Sequence, residues 1–95
     1  MRVAWLAAAR DDRRRITAWM AERNQAAAVR VARGLLAAAD GLATRPEKGR
    51  PGRAPDTREL SAVPPYVIVY QVDRAADVVR ILRVWHTAQN RSGVK

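Results

Sequence analysis

The chain opens on an alternation. In MRVAWL, Met1, Val3 and Trp5 fall on one side and Arg2, Ala4 and Leu6 on the other, which predicts a short strand. From about Ala8 the period lengthens. Ala9, Ile16, Trp19, Met20 and Arg23 gather near one helical face, with Asp12 and Arg13 filling the gap, and predict a helix to about Glu22. Asn24 can cap a second helix, because its side-chain oxygen accepts an otherwise orphaned N–H of the next turn. That helix spans about Gln25 to Leu42, carries the stripe Ala28, Val31, Ala32, Leu35, Ala39 and Leu42, and stops near Asp40-Gly41. So short a link between two helices predicts an antiparallel hairpin, and the many alanines let the two backbones approach closely.

The pattern then breaks. TRPEKGRPGRAPDTR, residues 44–58, holds three prolines and two glycines, which deny it a helix or a central strand. Its length favours a functional loop over a plain connector. RELSAV predicts a short strand interrupted at Pro64-Pro65. YVIVYQVD alternates Tyr66, Ile68, Tyr70 and Val72 with Val67, Val69 and Gln71, so the two tyrosines are expected to pack with Ile68. After the short link Arg74-Ala75-Ala76, VVRILRVW returns and completes an antiparallel hairpin. The order is β-α-α-β-β-β. The expected fold is α+β, one domain over residues 1–95, with the helix hairpin on one face of a small, mainly antiparallel sheet.

Strict alternation along the last strand puts Arg83 with Trp85, and Arg80 with Leu82, Val84 and His86. It also sends Trp85 and His86 to opposite faces, so the two share a pocket only if the strand ends between them. The three tryptophans are expected in the core or a groove. Whether residues 87–95 form a terminal helix or stay loose is open.

Composition narrows the chemistry. The chain has no cysteine and one histidine, so a disulfide scaffold is excluded, a zinc site is disfavoured and no cofactor is called for. The first residues lack a signal-peptide pattern and no apolar run is long enough for a membrane span, so a cytoplasmic protein without membrane attachment is expected. Eighteen Lys and Arg against nine Asp and Glu give +9, a field that attracts polyanions or an acidic protein. The excess is densest in residues 45–58, where five basic and two acidic side chains give +3. Lys48, Arg50, Arg53 and Arg58 there are candidates for binding nucleic acid or a partner, as are Arg80, Arg83, Trp85 and Arg91 at the C-terminal end.

The opening strand MRVAWL, the alanine-rich hairpin, PEKGRPGRAPDTREL, PYVIVYQVD and VRILRVWH, in this order and spacing, resemble the RelE/ParE superfamily, the toxins of type II toxin–antitoxin modules. The resemblance covers nearly the whole chain. It implies a small bacterial protein held inactive in a hetero-oligomer with a cognate antitoxin, an acidic segment suited to a basic toxin. It also implies one of two targets: the ribosome and its mRNA, cleaved by RelE-like members, or DNA gyrase, blocked by ParE-like members. Cleavage through the 2′-hydroxyl needs a base, a cation at the phosphorane and an acid. His86, with Arg58 and Arg83 as phosphate contacts, would supply that set, since histidine is the side chain whose ordinary pKa suits the work. Against it, Val67 stands where nuclease members carry arginine, and the tail TAQNRSGVK has no tyrosine. The ParE-like mode therefore leads, the RelE-like mode is the alternative, and a non-toxic antitoxin-binding relic is a third outcome. Whether the chain is an enzyme follows from that choice.

Overall fold

The computed structural model describes residues 1–87, so Arg91 and nearly all of the terminal segment lie outside the described residues. The elements run β1 (Arg2–Trp5), α1 (Ala7–Ala21), α2 (Gln25–Gly41), β2 (Arg50–Pro51), β3 (Arg58–Ser61), β4 (Tyr66–Asp73) and β5 (Val78–His86). Two helices pack on a five-stranded sheet of order β1-β5-β4-β3-β2. The α+β fold is as expected, with one addition. The central loop contributes β2, a two-residue edge strand paired with Arg58 and Glu59. An arginine and a proline at that edge discourage further pairing.

The β3, β4 and β5 strands pair antiparallel, whereas β1 lies parallel to β5 and reaches only from Val78 to Ile81. The helix hairpin between β1 and the rest of the sheet provides the crossover that parallel pairing needs. Asn24 caps α2 as predicted, its side chain accepting the Ala27 N–H at 3.0 Å. Gly41 does not terminate α2 in a left-handed turn; the last turn tightens instead, with Leu42 and Ala43 N–H groups reaching the Ala39 and Asp40 carbonyls at 3.0 and 3.1 Å.

The core lies between the helices and one sheet face. Val31, Leu35, Ala39 and Leu42 of the α2 side meet Leu60, Tyr66, Ile68, Tyr70, Val79, Ile81 and Val84. Tyr66, Ile68 and Tyr70 share that face as predicted. The alternation of β5 does not hold. Val69 stands opposite Arg83 and Tyr70 opposite Ile81, so Leu82 is an extra residue in a β-bulge. The slip puts Ile81 and Val84 both on the core face. It also places Arg80 on the face of Arg83 and Trp85, not on that of Val84 and His86.

Candidate functional site

Beyond Trp5 the chain leaves the sheet, so the end of β5 has no β1 neighbour. The α1 helix passes there, and a groove of about 820 Å³ opens between them. Its walls include Asp12, Arg15, Ile16 and Trp19 of α1, Arg53, Ala54 and Thr57 of the loop, and Arg83 to His86 of β5. The α1 residues follow the i, i+3, i+4, i+7 spacing of one helical face.

Trp85 and His86 do alternate: Trp85 is opposite Val67 and His86 opposite Tyr66. Yet both line this groove, as do Glu59 and Val69 from one sheet face and Tyr66 and Val84 from the other. The groove wraps around the end of the sheet, where both faces are reachable, so strand alternation does not separate the two side chains. His86 meets Tyr66 edge to face, ring centroids 5.5 Å apart.

The electrostatic centre of the groove is Asp12, 5% exposed. Its carboxylate accepts Arg83 Nε and Nη2 at 2.7 and 3.0 Å, the Val84 N–H at 2.9 Å and Arg15 Nη2 at 2.9 Å. Burial alone would raise its pKa, but hydrogen bonds from Arg83 and Val84 and the charges of Arg83 and Arg15 outweigh it and hold the carboxyl below its ordinary value. The hydrogen bond to Asp12, and then the Asp12 charge, raise Arg83 against the opposing effect of burial. Glu59, 7% exposed, pairs with Arg50 and accepts the Arg53 N–H, each at 3.4 Å, and so ties the loop to β3. Both groove tryptophans carry an arginine: Arg23, which is not part of the lining, over Trp19 at 3.9 Å, and Arg83 near Trp85 at 5.8 Å.

Of the residues singled out in the sequence, Arg53, Arg83, Trp85 and His86 come together in the groove. Arg58 lies elsewhere, lining a smaller pocket of about 340 Å³. Its Nη1 donates to the Gly49 carbonyl at 2.7 Å, while Tyr70 takes the Gly49 N–H at 2.8 Å and donates to the Pro46 carbonyl at 2.7 Å. Those bonds fasten the basic loop across β4. Arg80 pairs with Asp73 at 2.7 Å, and Lys48 is exposed on the loop. Sequence reasoning did not single out Asp12, Arg15 or Glu59 as site residues. A signal existed for Asp12, a carboxylate on the helical face that otherwise turns to the core.

A family model described as the ParE toxin of the type II toxin–antitoxin system parDE matches residues 3–91. Toxin RelE2 of Caulobacter vibrioides is 42% identical over 92% of this chain and 96% of its own length. Toxin RelE1 of the same organism is 37% identical over 87% of this chain and 89% of its own. A solved structure of the chromosomal ParDE toxin–antitoxin system of P. aeruginosa superposes with a TM-score of 0.79 at 20% identity, over 90% of this chain and 95% of that one. The fold is therefore shared at low identity, and the family model spans both the opening strand and the groove-lining end of β5. This chain belongs to the RelE/ParE superfamily, as a toxin of a type II toxin–antitoxin system.

Proposed function

We propose that this toxin acts in the ParE-like manner, by binding DNA gyrase and blocking it, and that a cognate, acidic antitoxin neutralises it in a hetero-oligomer. The whole chain acts as one domain, in the cytoplasm where that target resides. The observation that carries this reading is the engagement of the arginines. Phosphoryl chemistry needs cations aimed at the reacting phosphate. Arg58 is held by the Gly49 carbonyl, Arg83 by Asp12 and Arg80 by Asp73, each at 2.7 Å. A groove with apolar walls of Ile16, Trp19, Val69 and Trp85 suits a protein surface better than a scissile phosphate. Purified protein in a supercoiling assay is expected to inhibit gyrase near stoichiometric amounts. Unimpaired supercoiling at large excess would remove this reading.

One observation favours the RelE-like alternative, a ribosome-dependent cleavage of mRNA: His86, Glu59, Arg53 and Arg83 all line the same groove. That mechanism predicts codon-linked cuts by primer extension after brief expression, lost in His86→Ala. Intact messages during growth arrest exclude it. Unaffected growth under strong expression would leave only a relic that binds antitoxin.

A further inference from the structure

The two walls of the groove come from α1 and from the end of β5, and one carboxylate joins them. Among the residues of α1 only Ala9 and Asp12 are buried. Ala9 offers one methyl and Ile16 and Met20 pack half-buried against the core, so Asp12 is the buried polar tie between this helix and the strand. The bulge at Leu82 and the early end of β1 leave the Val84 N–H beyond the strand that would have paired it. Asp12 Oδ2 takes that N–H at 2.9 Å and Arg83 Nε at 2.7 Å, while Oδ1 takes Arg83 Nη2 at 3.0 Å. The planar guanidinium meets the carboxylate at two points, a geometry lysine cannot reproduce.

We propose that Asp12 is a positioning residue: by holding Arg83 and Val84 it fixes the α1 wall against the β5 wall, so the target meets a groove already formed. This inference rests on the groove being the surface through which the toxin engages its target. The gain is preorganisation. A loose α1 wall and a free arginine would have to be ordered on binding, and that entropy would be lost from affinity.

The test compares Asp12→Asn, Arg83→Lys and their combination with Trp19→Glu, which alters the groove without touching Asp12. Thermal unfolding sets the folded concentration of each full-length protein. Amide exchange at Val84 reports the lock, and the toxin level needed to arrest growth reports function. Asp12→Asn is expected to speed Val84 exchange, and both single variants to need about tenfold more toxin, as for loss of a charge-assisted bidentate contact. Because the two residues act as one unit, the double variant is expected to be no worse than the worse single one. Unchanged Val84 exchange in Asp12→Asn, full potency of Arg83→Lys, or additive losses would overturn the proposal. Should Asp12→Asn not fold, Arg83→Lys decides by the same two readouts. If Trp19→Glu loses potency while Asp12→Asn keeps it, positioning fails and the groove stands. If Trp19→Glu keeps full potency, the groove itself is not the functional surface and the proposal falls with it.

Discussion

At the scale of single residues, paired carboxylates decide where Arg80 and Arg83 go. Asp12 has a folded-state pKa below its ordinary value of 3.8, despite the opposing effect of burial, because Arg83 and the Val84 N–H favour the ionised form. Asp73 is likewise lowered, chiefly by its hydrogen bond from Arg80 and then by the Ala76 N–H. For a depressed carboxylate the stability it adds is present above the unfolded-state pKa and drains away as pH falls through the folded one. Stability should therefore decline on the acid side of about pH 4, a carboxylate's unperturbed range. Asp12→Asn is expected to be less stable at neutral pH and to show a shallower acid decline, read from urea midpoints across that range. Parallel curves for the two proteins would mean that Asp12 is not the group responsible. The same pairing logic was hidden from the sequence. Arg58 and Arg83 look alike there, as basic residues near strand ends, but one fastens a loop and the other faces a helix.

At the scale of elements, close approach matters more than propensity. Gly34 sits inside α2, where glycine is unfavourable, yet a Cβ there would lie 2.3 Å from Val63 Cγ2. The glycine lets the loop before β4 settle on the helix. Gly34→Ala should gain up to about 1 kcal/mol of helix propensity. It should lose about 1–3 kcal/mol to overpacking, so the net change is expected to be destabilising. Thermal unfolding measures it, and adding Val63→Ala should recover part of the loss; a more stable Gly34→Ala would show that the loop moves aside freely. The β5 strand teaches the converse lesson. Its apolar content announces a strand, but nothing in VVRILRVW marks Leu82 as the bulged residue. The bulge satisfies packing on both sides, since Ile81 and Val84 must both reach the core.

At the scale of the whole molecule, charge and shape act together. A net charge of +9 would draw the proposed acidic antitoxin from a distance, and the apolar groove walls would add contact to whichever surface docks there. Association with the proposed acidic antitoxin should therefore slow markedly between low salt and about 0.5 M salt, as the screening length contracts, with dissociation changing much less. Stopped-flow mixing separates the two rates, and a salt-independent association rate would show that the net charge does not steer encounter. Among the described residues no helix is long and apolar enough to cross a membrane.

By itself the sequence determined the element order apart from the edge strand β2, the cap at Asn24, the helix stripe and the shared face of Tyr66, Ile68 and Tyr70. These are local matters, governed by periodicity and by what one side chain can do for the nearest backbone. Tertiary structure alone decided the rest: the parallel pairing of β1, the bulge at Leu82, and the gathering of Asp12 with Arg83 and Val84 across some seventy residues of chain. Those features follow from where β1 ends relative to β5 and from which polar groups that ending leaves unpaired. No local pattern encodes such a distance, so the groove could be seen only once the chain had folded around it.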